Sequence, residues 1–255
     1  MEVIIKLITH KTFLLKKKGS SIIMRKTNKS VIMIIITMIF TAYSFIIVYS
    51  LQENNDIFIK NGSRNEKFIA LTFDDGPHPK ETNEVLDILD KYNIKGTFFV
   101  VGKHANWYSE SLIRAAKEGH EIGNHTFNHP DITNLSNGDI KKEIKDCEDT
   151  LVKLTGKKPT LFRPPYGSYT QDKLGQIAKE CGYKIILWTT IDAKDWRNPP
   201  VAQISDTITN NVQNGDIILL HDYGTKNTVK ALDIIIPTMI KKGYKFVTVS
   251  ELINK

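Results

Sequence analysis

From about residue 66 onward, short apolar runs alternate with longer stretches in which apolar residues recur with the helical period. The apolar runs predict strands at Phe68–Phe73, Gly96–Val101, His120–Asn124, Lys184–Trp188, Asp216–Leu220 and Lys245–Val249, and Pro159–Arg163 leads into a loop. The periodic stretches predict helices at Lys80–Tyr92, Ser109–Glu118, Ser136–Thr155, Gln171–Glu180, Val201–Gln213 and Val229–Lys242. This alternation is typical of an α/β fold with a helix-covered parallel sheet. About seven strand–helix units favour a distorted (β/α) barrel over an open sheet.

An apolar stretch precedes this domain. Residues 31–49 carry no charged side chain. At about 1.5 Å per residue in a helix, this length matches a hydrocarbon core of roughly 30 Å. We therefore predict one N-terminal transmembrane helix before the barrel. The predicted organisation is a basic cytoplasmic segment at 1–30, a signal anchor or signal peptide at 31–49, a linker at 50–65 and the α/β domain at 66–255.

The basic charge is concentrated at the N-terminus. Residues 1–30 hold eight Lys or Arg side chains and one acidic residue, whereas the remaining sequence holds 27 basic and 27 acidic residues. A neutral domain offers no basic surface for a phosphate backbone, so no nucleic-acid partner is predicted. The asymmetry instead predicts a cytoplasmic N-terminus and an extracellular C-terminal domain in a single-pass membrane protein. Cleavage near Ser50 would give a secreted protein, and translation could start at Met1 or Met24.

The chain has two cysteines, Cys147 and Cys181. Two cysteines do not form a disulfide scaffold. We expect two partly buried thiols on helices, with a single disulfide as the alternative.

Polar residues cluster directly after the apolar strands, where a parallel barrel brings the strand ends to one mouth. The first cluster contains Asp74 and Asp75 and turns at Gly76–Pro77; neighbouring strand residues face opposite sides, so one carboxylate could bind a metal while the other faces a substrate. The second cluster contains His125 and His129. Two histidines and one carboxylate form a ligand set that leaves positions open for water and substrate. Each cluster alone also fits an ordinary acidic turn or a surface histidine pair.

Three more clusters follow. In Arg163-Pro164-Pro165-Tyr166-Gly167, two prolines remove two amide donors, and the next free N–H belongs to Tyr166. This segment also fits a simple rigid turn. The sequence Asp192-Ala193-Lys194-Asp195-Trp196 follows another strand. His221 directly follows the strand Asp216–Leu220 and is a candidate general acid, although a lone histidine is more often a polar residue whose hydrogen bonds are satisfied within the fold.

The five clusters TFDDGP, HTFNH, RPPYG, DAKDW and LLH, in this order, resemble the five motifs of the NodB-homology polysaccharide deacetylases, carbohydrate esterase family 4. The resemblance covers about residues 66–252, with no substitution at a catalytic position. It implies hydrolysis of the acetamido group of an N-acetylated polysaccharide. It also implies a divalent metal, with Zn²⁺ as first choice and Co²⁺ or a similar ion as the alternative.

The resemblance implies a role for each matching residue. The implied metal ligands are Asp75, His125 and His129. The implied catalytic residues are Asp74 as general base, Arg163 as its partner, the Tyr166 amide as oxyanion donor, His221 as general acid and Asp195 as a support for either Arg163 or His221. The implied acetyl-pocket and substrate-binding residues are Trp196, Leu219 and Pro165.

Other functions stay open on sequence grounds. A glycoside hydrolase could use Asp74 and Asp75, but it would leave both histidines without a role. A cell-wall binding module would need no catalytic residue. Peptidoglycan N-acetylglucosamine is the favoured substrate because an outward-facing enzyme meets the cell wall first. N-acetylmuramic acid, chitin oligomers, poly-N-acetylglucosamine and O-acetylated xylan are the alternatives.

Overall fold

The computed structural model describes residues 29–55, 57–189 and 191–255, and the chain divides into two units near Ser50. The first unit contributes most of helix α1 (Lys29–Asn55). In the part of the chain that is described, no helix meets the length and apolarity needed to cross a bilayer. The transmembrane span predicted at 31–49 is therefore not confirmed. The predicted basic segment 1–30 lies, apart from its last two residues, outside the described residues.

The second unit contains the predicted strands and helices in the predicted order, with two additional two-residue strands and two additional short helices. The strands are β1 (Phe58–Ile59), β2 (Phe68–Asp74), β3 (Thr97–Val100), β4 (Glu121–Asn124), β5 (Leu161–Phe162), β6 (Lys184–Ile186), β7 (Ile217–His221) and β8 (Lys245–Phe246). The helices are α2 (Glu81–Lys91), α3 (Gly102–Trp107), α4 (Ser109–Lys117), α5 (Asn137–Thr155), α6 (Gln171–Cys181), α7 (Val201–Asn211), α8 (Lys226–Lys241) and α9 (Val249–Ile253).

All named strand pairs are parallel, and the sheet order is β1-β6-β5-β4-β3-β2-β7, with β8 paired to the start of β2. Isolated bridges connect Asn61 with Asp216 and Asp192 with Leu219. Single bridges, instead of a continuous ladder, thus connect β7 and the residue before it with the segments that follow β1 and β6 at the other edge of the sheet. The predicted α/β distorted barrel is confirmed.

Strand β2 shows how the sequence builds this barrel. Ile69, Leu71 and Phe73 pack outward in one apolar cluster with residues of α2 and α8. Ala70 belongs to a second cluster inside the barrel, together with residues of β3, β5, β6 and β7. Because side chains alternate along a strand, Asp74 at the end of β2 faces the interior side, as Ala70 does. The alternation therefore places a carboxylate at the mouth.

The structure corrects one sequence expectation and agrees with another. Strand β1 lies inside the stretch predicted as a linker at 50–65, and it adds to the sheet by pairing with β6. Its two residues are too few for a periodic signal, so only pairing with β6 identifies them as a strand. Cys147 and Cys181 are both free, which agrees with the expected thiols.

Candidate active site

The candidate metal ligands come together at the mouth of the barrel. Nε2 of His129 lies 3.1 Å from Oδ1 of Asp75, and Nε2 of His125 lies 3.5 Å from the same oxygen. Two ligands of a tetrahedral Zn²⁺, each at about 2.1 Å from the ion, are about 3.4 Å apart. One donor atom from each of the three residues lies within 4.8 Å of the other two. The spacing therefore fits a shared divalent ion.

The protonation of the ligands supports this fit. Nδ1 of His125 lies 2.7 Å from the carbonyl oxygen of Arg163. A carbonyl oxygen only accepts, so Nδ1 carries a hydrogen, and Nε2, which faces Asp75, is the nitrogen that could bind an ion. Burial would raise the pKa of Asp75, but hydrogen bonds with His125 and His129 outweigh it and hold that pKa well below its usual range.

Asp74 is held by a buried arginine. It ends β2, is 4% exposed, and accepts a hydrogen bond of 2.7 Å at Oδ1 from Nη1 of Arg163. The same nitrogen donates to Oγ1 of Thr72, while Nε and Nη2 donate to the carbonyl oxygens of Ile186 and Leu187. Arg163 is fully buried, and its guanidinium lies 4.1 Å from the centre of the Phe99 ring. Burial lowers the pKa of Arg163, which the charge of Asp74 opposes.

His221 forms a second charged pair across the mouth. It is the Cα partner of Asp74 in the β2–β7 register. Nδ1 lies 2.8 Å from Oδ1 of buried Asp195, and the His221 backbone N–H donates to Oδ2 of Asp195 at 2.8 Å. Thr228 donates a further hydrogen bond to Oδ2. Burial alone would lower the pKa of His221, but the hydrogen bond and charge of Asp195, with smaller contributions from Asp74 and Asp75, raise it to about 9.

These groups surround a cleft of about 430 Å³. Its lining includes eight residues predicted from the sequence, which are Asp74, Asp75, His125, His129, Tyr166, Trp196, Leu219 and His221. The predicted residues Arg163 and Asp195 lie fully buried next to Asp74 and His221. Pro165 is buried in the turn beside Tyr166 and is not among the described residues that line this cleft.

Three lining residues, Gly167, Trp188 and Asp192, were not proposed as site residues on sequence grounds. Gly167 has φ +64°, and a Cβ there would lie 2.5 Å from Cη2 of Trp188. Glycine thus lets the turn approach the tryptophan closely. Trp188 is the last residue of the predicted strand Lys184–Trp188. Its position at the end of an apolar run is the sequence feature that could have identified it as a site residue.

The turn that carries Tyr166 is unusual in its backbone. Tyr166 has φ 60° and ψ 3°, a left-handed conformation that is uncommon for a tyrosine. Its ring lies edge-on to His129 at 4.6 Å between centroids, and its side chain is 67% exposed. Tyr166 therefore borders both the metal-ligand set and the open side of the cleft.

The fold and the site are those of an α/β barrel enzyme with a candidate metal-ligand set at the carboxyl ends of its strands. Residues 61–186 match the polysaccharide deacetylase family model. A peptidoglycan-N-acetylglucosamine deacetylase of Bacillus cereus is 46% identical over 193 residues, covering 74% of this chain and 90% of the relative. The chain belongs to the polysaccharide deacetylase family, which confirms the family and the enzyme class predicted from the five motifs.

Two further comparisons agree with this assignment. A peptidoglycan-N-acetylmuramic acid deacetylase of Bacillus subtilis is 43% identical over 188 residues; the match covers 74% of this chain but 39% of that larger protein. A crystal structure of a peptidoglycan N-acetylglucosamine deacetylase, in complex with an N-oxidanyl-benzamide, superimposes with a TM-score of 0.76 at 35% identity. That match covers 81% of this chain and 97% of the other. Both relatives are named for the deacetylation of a cell-wall sugar.

The His221–Asp195 pair predicts a change in pH dependence. Replacing Asp195 by asparagine removes the charge that raises the pKa of His221, while burial, which lowers that pKa, remains. If His221 is the general acid, which must be protonated to act, the alkaline limb of kcat/KM should move to lower pH by at least about one unit. Thr228→Val, which removes a contact to Asp195 but keeps the pair, should give a smaller shift. Identical pH profiles for Asp195→Asn and the unaltered enzyme would exclude His221 as the acid.

Proposed function

We propose that this chain removes the acetyl group from N-acetylglucosamine residues of peptidoglycan and releases acetate. The observation that carries the proposal is the cleft in which Asp74, His221 and the ligand set meet, in a chain that matches 90% of a Bacillus cereus enzyme named for this activity. The proposed metal ligands are Asp75, His125 and His129, with Zn²⁺ as the proposed ion. The bound ion would supply Lewis-acid stabilisation of negative charge and a water of lowered pKa.

The chain's own residues would divide the proton transfers. Asp74 takes the proton of the attacking water, and Arg163 orients that carboxylate through a hydrogen bond to Oδ1. The backbone N–H of Tyr166 donates to the oxyanion that forms from the acetyl carbonyl, a contribution typically worth roughly 3–4 kcal/mol. His221, protonated through its pairing with Asp195, gives a proton to the leaving amine. No covalent intermediate is required.

The acetyl group itself would lie against apolar side chains. Leu219 and Trp188 line the same cleft as His221. Trp196 also lines this cleft and is half exposed. A methyl group gains from burial among such side chains, whereas a larger acyl group would meet their bulk. We assign Trp196 and Leu219 to the acetyl pocket. Pro165, buried in the Tyr166 turn, would act by holding that turn and not by touching the sugar.

A second substrate is supported by one finding. The Bacillus subtilis relative, at 43% identity, is named for deacetylation of N-acetylmuramic acid. Muramic acid differs from glucosamine by a lactyl ether that bears a carboxylate, so the two sugars place different demands on the border of the cleft. N-acetylmuramic acid is therefore the alternative substrate within the same polymer.

The test uses the purified full chain in mild detergent. We expect acetate release from peptidoglycan, with glucosamine among the hydrolysed sugars, and slower release from chitin oligomers and O-acetylated xylan. Chelator should abolish each release. Faster turnover of chitin oligomers or xylan would overturn the peptidoglycan assignment. New reducing ends that form despite chelator would indicate a glycoside hydrolase, and binding without acetate would indicate a wall-binding module.

We further propose that the enzyme works on the outer side of the cell membrane, where its polymer lies. The support is the sequence alone: the basic residues of segment 1–30 precede the charge-free stretch 31–49. Protease added to intact protoplasts should remove the C-terminal domain if it faces outward. Full protection of that domain would contradict this location.

A further inference from the structure

The loop that carries both candidate metal-binding histidines has a demanding backbone. Thr126 has φ 67° and His129 has φ 60°. Neither residue is glycine, so this left-handed conformation is strained at both positions. Such a loop keeps its shape only when its surroundings hold it. Side chains around the loop provide this support.

Side chains hold all four backbone N–H groups between Thr126 and His129. Asn124 Oδ1 accepts from the N–H of Thr126 at 2.9 Å, and Thr126 Oγ1 accepts from the N–H of His129 at 3.0 Å. The two N–H groups between them, of Phe127 and Asn128, both donate to Oε2 of Glu143, at 3.0 and 2.8 Å. Glu143 thus occupies the centre of the loop.

The other carboxylate oxygen of Glu143 also binds the loop. Oε1 accepts a hydrogen bond of 2.8 Å from Nδ2 of Asn128. Successive N–H groups that converge on one anion form the arrangement called a nest. Here a side chain of the same chain fills the nest with a full negative charge. Hydrogen bonds to a charged acceptor are stronger than those between neutral groups.

The helix that carries Glu143 is firmly attached to the barrel. Ile140, Ile144 and Cys147 of α5 are buried, and Asn124 donates from Nδ2 to the carbonyl oxygen of Ile144 at 2.8 Å. The position of the Glu143 carboxylate relative to β4 is therefore set by packing. It ties the middle of the histidine loop to a rigid element.

We propose that Glu143 is a positioning residue for the metal site. It touches neither the sugar nor the ion. By fixing Phe127 and Asn128, it sets the separation and direction of His125 and His129 and so raises the affinity for the divalent ion. This inference rests on the metal-dependent function proposed above. None of the five motifs contains Glu143, which lies 14 residues after His129 in the sequence.

The test measures metal affinity without catalysis. The full chain is freed of metal, and the dissociation constants of Zn²⁺ and Co²⁺ are measured by competition with a chromogenic chelator. Glu143→Ala should weaken binding by about 10- to 100-fold, the usual effect of losing a group that orients metal ligands. The absorption spectrum of bound Co²⁺ should also change, because the angle between the two imidazoles is no longer fixed.

Two further variants separate positioning from simple stability. Glu143→Gln keeps one oxygen for both N–H groups, and the Asn128 amide can turn to accept from the new NH₂, so affinity should stay within a few-fold. Glu143→Asp keeps the charge but is one methylene short, so it should lose affinity while remaining folded. Asp146→Ala, one turn along α5, removes a carboxylate that pairs with Lys142 and should leave the metal affinity unchanged.

The melting temperature, the metal affinity and the Co²⁺ spectrum together distinguish a positioning role from a purely structural one. A lower melting temperature for Glu143→Ala and Glu143→Asp, with unchanged metal affinity and Co²⁺ spectrum, would overturn the inference and leave a structural role alone. If Glu143→Ala does not fold, the comparison of Glu143→Asp with Glu143→Gln decides between the two roles. A failure of the unaltered chain to bind any divalent ion would overturn the proposed function and this inference together.

Discussion

Replacing Asp74 by asparagine should lower kcat by about 10²- to 10⁴-fold, the usual contribution of a general base. Asparagine has nearly the same shape but cannot take a proton from water. Asp74 suits this role because its Oδ1 is bound to Arg163, while its Oδ2 lies 3.8 Å from Nε2 of His125, on the metal-ligand side. The carboxylate is thus fixed at one oxygen and faces the reacting region with the other.

The same substitution should also affect stability. Arg163 is fully buried, and its charge would lose its partner. Breaking a buried ion pair in this way typically costs about 3–5 kcal/mol. Activity must therefore be compared at a temperature where circular dichroism shows both proteins folded. Asp206→Asn, which changes an exposed carboxylate on α7, is the matched control and should keep full activity.

The measurement is acetate release from peptidoglycan under saturating substrate. A loss in kcat with a nearly unchanged KM is expected, because Asp74 acts mainly in the transition state. A folded Asp74→Asn protein that retains more than a tenth of the activity would show that another group accepts the proton. A non-catalytic wall-binding module would show no difference between any of these proteins.

Removing the metal should reduce activity to background, and adding Zn²⁺ or Co²⁺ back should restore it. Asp75, His125 and His129 offer three ligand atoms, so a site open for water and substrate remains. His129→Ala removes one of the three ligands and should weaken metal binding by more than about 100-fold, above the effect of a group that only orients a ligand. His129 is preferred over His125 because its side chain is 21% exposed and its loss leaves a smaller buried void.

The control for this variant lies in the same loop region. Asp131 is an exposed carboxylate that accepts from the N–H of Thr133, and Asp131→Asn keeps that acceptor. Its metal affinity and activity should match those of the unaltered enzyme. If His129→Ala binds metal normally, the ligand set proposed here is wrong. Full activity of the unaltered enzyme after extensive chelation would have the same consequence for metal dependence.

Much of the site follows from residue order alone. The strand Phe68–Phe73 ends in Asp74 and Asp75, and a parallel α/β domain brings such strand ends to one mouth. The same argument places His125, His129 and His221 beside them, although more than ninety residues separate His129 from His221. These residues line one cleft because apolar strands with polar ends leave few alternative arrangements.

Other parts of the site could not be predicted in this way. Glu143 lies on an amphipathic helix among Lys and Asp residues, where its sequence environment resembles any solvated helix face. Its contacts with Phe127 and Asn128 exist only because α5 packs beside the loop after β4. Trp188 enters the cleft because the turn at Gly167 approaches it. Contacts between segments distant in sequence leave no periodic signal.

The α/β class, the family and the neutral charge of the catalytic domain could be predicted without a structure, because they depend on local periodicity, motif residues and composition. Only the folded chain shows that Phe58–Ile59 extends the sheet and that Glu143 holds the histidine loop. It also shows that Arg163, the expected partner of Asp74, is fully buried. The physical reason is the same in each case. A strand edge, a buried charge or a backbone N–H acquires its partner only when the chain has folded.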